Sequence, residues 1–314
     1  MYGAGGQKRV PSEFNKDFRV PLPLLDEQRA IADFLDRETA RLETLVGKKR
    51  ELIEKLKEKR TALISRTVTR GLPAEAAAKA GLNPHPKLKP SGIEWLGDVP
   101  EHWDVKQGRY VGRIKTTVSL AEDEIIDAEG VIPYIKVEDL NSDHNIPVFS
   151  EAKFRSVDTS HSWIEDALIF PKRGAAIFTN KVSILRTRAL LDPNLMGWQM
   201  LGQSFPKYYY YILKGRGLDD LADTSTVPQI NNKHIYSERF PAPPLSEQRT
   251  IADYLDRETA KLDRLMEKVA AAIEKLQEYR TALITAAVTG KIDVRGLADS
   301  AVSTPVAGSS TVAV

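Results

Sequence analysis

A stretch of fifty residues occurs twice in this chain, and that duplication limits what it can fold into. Displacing the sequence by 220 positions lays Pro21–Arg70 over Pro241–Gly290 without a gap, and 30 of the 50 positions are identical. The shared blocks include Glu27-Gln28-Arg29 with Glu247-Gln248-Arg249, and Leu35-Asp36-Arg37-Glu38-Thr39-Ala40 with its counterpart at 255–260. Both copies predict a long helix. A proline-rich lead ends at Asp26 or Ser246, each a candidate N-cap. Some forty residues without proline follow, interrupted only by Gly47 in the first copy. Apolar residues recur at heptad spacing, at 35, 42, 56 and 63 and again at 255, 262, 269, 276 and 283, with a second row at Ile31, Leu45, Leu52, Ile251 and Leu265. That period is the coiled-coil one. At 1.5 Å per residue each helix would extend roughly 60 Å, the length of a strut. The two copies can pack on each other as an antiparallel pair. Pairing with another molecule is the less favoured alternative. Glu27, Gln28, Asp33, Arg37 and Glu38 lie off the seam yet are repeated, so both copies are expected to do the same job. Capping and i,i+4 ion pairs explain some of them singly.

Composition excludes several classes of chemistry. The 314 residues contain no cysteine, so disulfides, thiolate nucleophiles, cysteine-ligated zinc and iron–sulfur clusters are out. No apolar run approaches the ~20 residues of a membrane span, and the N-terminus lacks the apolar core of a signal peptide. A cytoplasmic protein is the simplest reading. The net charge of +2 is unevenly distributed: residues 1–87 carry 18 basic against 12 acidic side chains, and residues 88–240 carry 18 against 21. A basic surface on the middle segment must therefore be local.

Residues 71–90, rich in Ala, Pro, Lys and Gly, read as a linker, and residues 91–240 as a mixed α+β domain. Trp95 and Trp103 at its opening are expected to be packing anchors. Strands are predicted over 131–137, 167–170, 175–178 and 182–185, and helices near 105–113, 193–201 and 207–214. The run Tyr208–Tyr211 reads as a half-buried helix face. There is no glycine-rich phosphate loop, no Asn/Asp-Pro-Pro-Tyr/Phe stretch of an amino-methyltransferase, and no histidine pattern of metal-ligand spacing. Asp143, Glu151 and Lys153 weakly match the trio of a metal-dependent nuclease, a set common by chance. Three polar loops remain: Lys172-Arg173-Gly174, Asn180-Lys181, and Gln229-Ile230-Asn231-Asn232-Lys233. Asn and Gln can pair bidentately with adenine, and Arg and Lys can pair with guanine or bind phosphate. Each loop alone is an ordinary polar turn, but three on one domain lean towards nucleic-acid reading.

With these residues in place, the pattern resembles the specificity subunit of type I restriction–modification systems. Four features carry the resemblance. They are Pro-x-Pro-x-Leu-x-Glu-Gln ahead of each helix (Pro21–Gln28, Pro241–Gln248), Ser91–Trp103 as the opening of a target recognition domain, Thr226–Asn231 as its exit, and the alternation of domain and helix. The resemblance implies a non-catalytic, DNA-binding chain: one target recognition domain flanked by two long helices that pair as an antiparallel coiled coil. Double-stranded DNA would be contacted through Lys172, Arg173, Gly174, Asn180, Lys181, Gln229, Asn231, Asn232 and Lys233. The helices would dock modification subunits through Glu27, Gln28, Arg29, Asp33 and Arg37 and through Glu247, Gln248, Arg249, Asp253 and Arg257. Restriction subunits, and a second copy or another specificity subunit, are further implied partners. S-adenosylmethionine, ATP and magnesium would sit on those partners, with no cofactor in this chain. In that family a complete recognition domain precedes the first helix. Here residues 1–20 read as a remnant of one, ahead of a first helix at 21–70, and the second helix at 241–290 is followed by a tail, 291–314, expected to be disordered. The rival readings are a protein-binding coiled-coil scaffold and the metal-dependent nuclease.

Overall fold

The computed structural model describes residues 21–116, 132–140, 156–157, 163–223 and 227–295. The expected remnant at 1–20, the tail beyond 295 and the nuclease trio of Asp143, Glu151 and Lys153 lie outside the described residues. The two copies of the repeat form helices α1 (Leu25–Arg70) and α6 (Leu245–Val288). Each starts one residue before its expected cap, so Asp26 and Ser246 sit in the first turn rather than at the N-cap. Asp26 and Glu27 there, and Glu247 in the second copy, oppose the positive end of the helix dipole. A side chain added at Gly47 would meet nothing within 4 Å, and the helix runs through it unbroken.

The chain divides into two compact units, residues 1–55 with 265–314, and residues 56–264. In the first, the beginning of α1 packs on the end of α6, which makes the pair antiparallel. Phe34, Leu42, Leu283, Ala287 and Val294 form its apolar seam, and Arg280 donates to Glu43 across it at 3.2 Å. Leu45, Leu52 and Leu265, assigned to a second apolar row, are exposed. The helices thus meet along one narrow seam.

In the second unit the end of α1 and the beginning of α6 lie in the same antiparallel sense, and Arg60 pairs with Asp263 at 3.0 Å. After α1 come a short helix, α2 (Ala74–Lys79), and the hairpin of β1 (Leu88–Pro90) with β2 (Asp98–Pro100). Next are β3 (Asp104–Gln107), α3 (Gly108–Val111), β4 (Gly112–Lys115), β5 (Ile132–Ile135) and β6 (Ser156–Val157). Then follow β7 (Ala167–Pro171), β8 (Ser183–Leu185), β9 (Leu190–Leu191), β10 (Leu195–Met200), α4 (Pro206–Arg216), α5 (Asn232–Ser237) and β11 (Arg239–Ala242). The central sheet is antiparallel in the order β4-β10-β7-β8; β6-β5-β9 form a second sheet, and β11 pairs with β3.

Three expected elements differ. Residues 193–201 were expected to be helical, but 195–200 form β10 between β4 and β7, with Trp198 opposite Ile114 and Leu168. Good helix formers there are overridden by pairing on both sides, which satisfies the backbone and buries both faces. Residues 175–178 were expected as strand but form a 3₁₀ helix, Ala175–Thr179, launched by Gly174 at φ 73°. The span 105–113 divides into strand, one helical turn and strand, because Gly108 lies against the carbonyl of Ile235, where a side chain would collide.

Helix α4 sits at the centre of this unit. Its four consecutive tyrosines, 208 to 211, are all buried, so α4 is covered on every side rather than half-buried. Their hydroxyls reach polar partners: Tyr208 donates to the Val68 carbonyl at 2.9 Å and Tyr211 to Asp256 at 2.6 Å. Ile64 and Val68 of α1 and Ile251, Ala252 and Leu255 of α6 join the same core. At about 1.5–3 kcal/mol for each large aliphatic residue, this contact dominates the seating of the domain on the helices. Trp103 is fully buried. Trp95 donates to Glu238 at 3.0 Å and stacks under Arg216, 4.5 Å away, so both tryptophans are packing anchors.

Candidate nucleic-acid interface

Two of the three polar loops are brought together. Lys172-Arg173-Gly174 leaves β7 as a turn and pairs along the backbone with Pro228-Gln229-Ile230. Gly174 N donates to the Pro228 carbonyl at 3.0 Å, Ile230 N donates to the Lys172 carbonyl at 2.9 Å, and Arg173 bridges to Gln229. Both flanks are tied down as well. Lys172 N donates to the Asn194 carbonyl, and Gln229 N to the Asp223 carboxylate at 3.2 Å. The arrangement is therefore a rigid double loop. Arg173 is exposed and Lys172 is half-buried. Burial, and then the neighbouring charge of Arg173, hold the Lys172 ammonium below its usual pKa. An anion placed there would offset both effects by favouring the charged ammonium.

Asn231 continues this surface as the N-cap of α5: His234 N donates to the Asn231 carbonyl at 2.9 Å, and the His234 ring accepts from Asn231 N at 3.2 Å. Asn231, Asn232 and Lys233 are all exposed. The Asn180 side chain instead faces inward. It adopts the left-handed conformation at φ 47°, and its amide donates to the Lys214 carbonyl at 3.1 Å while the Lys214 ammonium donates back to the Asn180 carbonyl at 2.8 Å. Asn180 is an anchor for its loop rather than a contact group. Lys181 beside it is half-buried. Sequence reasoning missed Phe178, which stands 64% exposed between these loops, because it had been placed inside a strand.

The repeated Glu-Gln pair does two different things. In the unit of residues 56–264, Glu247 and Gln248 are buried. Glu247 pairs with His102 at 2.9 Å. Gln248 accepts from Phe205 N at 2.8 Å and donates to the carbonyls of Gln203 at 3.0 Å and Pro243 at 2.8 Å. These two side chains fasten the domain to α6 and are not open for docking. Arg249, Asp253 and Arg257 of the same copy are exposed. In the other unit Gln28 is exposed and donates to the Pro23 carbonyl, Glu27 is half-buried, and Arg29, Asp33 and Arg37 are exposed. Ala32 there is exposed and Ile31 and Leu35 are half-buried, while their counterparts Ala252, Ile251 and Leu255 are fully covered. At the other end of the repeat, Ile64 and Val68 are covered by the domain, whereas Ile284 is half-buried and Val288 is 49% exposed. The unit of residues 1–55 and 265–314 thus carries an uncovered version of the seat that the domain occupies.

Among the described residues no three His, Asp or Glu side chains are grouped to hold a metal, and no helix is long and apolar enough to cross a membrane.

A mixed α+β domain with a basic double loop, seated on paired long helices by residues of a repeat, makes a helix-mounted α+β module. Residues 198–275, from the end of β10 through the Pro228–Ile230 segment of the double loop and into α6, match the family model described as type I restriction modification DNA specificity domain. A Methanocaldococcus jannaschii protein named as the MjaX specificity subunit of a type I restriction enzyme is 26% identical over 288 residues, covering 89% of this chain and 60% of its own length. The type I restriction enzyme MjaVIII specificity subunit of the same organism is 23% identical over 310 residues, 93% of this chain and 66% of its own. Among solved structures, a chain of a type I R-M system superposes with a TM-score of 0.61 at 18% identity, covering 87% of this chain and 62% of that one. The HsdS subunit of Thermoanaerobacter tengcongensis superposes with a TM-score of 0.56 at 15% identity, covering 93% and 65%. This chain is similar to type I specificity subunits and shares the fold of their solved structures, while spanning about two thirds of the length of the relatives it matches.

Proposed function

We propose that the chain is a non-catalytic DNA sequence-specificity subunit of a type I restriction–modification complex, acting in the cytoplasm. The observation that carries the proposal is the convergence of Lys172-Arg173-Gly174 with Gln229 and Asn231–Lys233 on one rigid surface of a domain that resembles known specificity subunits. In this reading residues 91–240 are the target recognition domain and read one half of a bipartite site. Arg173, Lys172 and Lys233 supply phosphate or guanine contacts, and Gln229, Asn231 and Asn232 supply amides suited to adenine. The second half is read by another recognition domain. It rests on the uncovered seat of Gln28, Ile31, Ala32 and Leu35 with Ile284 and Val288.

Modification subunits dock on the helices. Asp33 and Arg37, repeated as Asp253 and Arg257, are exposed at matching positions, and Leu45, Leu52 and Leu265 leave apolar side chains on the helix surface. Catalysis, with S-adenosylmethionine, ATP and magnesium, belongs to the modification and restriction subunits.

The test is DNA binding by the full chain assembled with its modification subunits, titrated with salt, together with methylome sequencing of cells with and without the gene. Arg173→Ala is expected to weaken binding and to lower the salt slope by about one. Loss of one split adenine-methylation motif on gene deletion is the expected cellular result. Binding that is unchanged across the salt titration, with no methylation motif lost, would refute the reading in favour of a protein-binding scaffold.

A further inference from the structure

The double loop presents more than cations. Segment 172–182 is fixed at both ends, by Gly174 N on the Pro228 carbonyl and by the reciprocal Asn180–Lys214 bonds. Its middle is a 3₁₀ helix in which Ile177 is fully buried and Thr179 donates back to the Ala176 carbonyl at 2.6 Å. Buried Ile177 sets the rotation of the turn, and that rotation turns Phe178 outward. Ala175 and Ala176 before it are small, and Thr179 after it is exposed, so the ring stands proud of its surroundings. Val227, 51% exposed, lies on the partner segment beside Pro228. Each of the two hydrogen-bonded segments thus offers an apolar side chain to solvent.

A scattered apolar residue on a surface is ordinary. A large ring on a turn pinned on both sides, lying between Arg173 and Lys181 in the sequence, is a preorganised position. It pays no backbone ordering cost on binding, because the turn that carries it is already fixed. Its chemistry also limits what it can touch. A phenyl ring cannot neutralise a phosphate, but it can meet a thymine methyl or the face of an opened base step.

We infer that Phe178 is a specificity-determining residue that contacts bases, while Arg173 and its cationic neighbours position the backbone. The inference rests on the DNA-reading function proposed above, and the two make different thermodynamic predictions. A base contact contributes to discrimination and releases no counterions; a phosphate contact does the reverse.

The experiment uses the full chain with its modification subunits and a pool of random duplex DNA. The motif selected by the wild-type complex is then compared with a scrambled duplex across a salt series. For Phe178→Ala the expected result is a loss of roughly tenfold or more on the selected duplex, equal binding to the scrambled duplex, an unchanged salt slope, and relaxed preference at one or two positions of the motif. Because the ring is solvent-facing, the variant's melting temperature should match wild type, which separates a lost contact from lost folding. An identical motif and affinity in the variant would overturn the inference, as would an equal loss on both duplexes or a defect confined to assembly with the modification subunits. Failure of the wild-type complex to select any motif would instead remove the DNA-reading function itself.

Discussion

Gln28 and Gln248 occupy the same position of the repeat, within Glu-Gln-Arg in both copies, yet removing them should have very different consequences. Gln248 is 1% exposed, and its amide makes three hydrogen bonds, to Phe205 N, the Gln203 carbonyl and the Pro243 carbonyl. Gln248→Ala strips a partner from three main-chain groups at once. At about 1 kcal/mol for each bond, with a further desolvation cost for any group that water cannot reach, the loss is about 3–5 kcal/mol. In a unit of this size each kcal/mol moves Tm by about 2–4 °C, so the melting of the unit of residues 56–264 should fall by roughly 6–20 °C. Gln28 makes one exposed bond to the Pro23 carbonyl, and Gln28→Ala should stay within about 0.5 kcal/mol of wild type. Thermal and urea unfolding, followed by near-UV circular dichroism of the buried tryptophans and tyrosines, measures both. Equal effects from the two substitutions, or a negligible effect from Gln248→Ala, would refute the assignment of this glutamine as the fastening between domain and helix. The comparison has a second use. If another recognition domain takes the uncovered seat, Gln28→Ala should become costly only in the complex that contains it.

The Lys172 pKa lies below its usual value in the folded chain, so charging it costs folding free energy at neutral pH. Lys172→Met should therefore leave Tm unchanged or raise it while weakening DNA binding. The stability gap between variant and wild type should narrow as pH rises into the depressed titration range of Lys172, below the usual ~10.4 of lysine. A variant less stable than wild type at pH 7 would contradict this sign. Gly108 offers a core test. A Cβ there would collide with the Ile235 carbonyl and press on Phe240, so Gly108→Ala should destabilise the domain by about 1–3 kcal/mol in urea unfolding, with little change in m-value.

The long helices were legible because their determinants are local and periodic: proline ahead of each start, none inside, and a heptad seam. The domain was legible only in part. The strands at 167–171 and 183–185 announced themselves as short apolar runs, and α4 as an aromatic run after proline. Residues 195–200 did not, since Leu, Met, Gln and Trp serve either state and only the flanking strands decide between them. For the candidate interface, the residue types were visible but their assembly was not. Arg173 and Gln229 are far apart in sequence, and nothing local states that their backbones pair. Asn180 looked like a contact residue and became an anchor because its left-handed turn meets the last turn of α4.

Sequence alone determined the duplication, the helical form and length of both copies, the coiled-coil period, the absence of cysteine chemistry, and the likeness to type I specificity subunits. Each of these depends on residue identity and spacing along the chain. Tertiary structure decided what identical residues do. Glu247 and Gln248 fasten a domain because that domain covers them, while Glu27 and Gln28 remain at the surface. The physical reason is burial: the strength of a hydrogen bond or an apolar contact depends on whether water is excluded around it, and that is set by what packs there, not by the residues themselves.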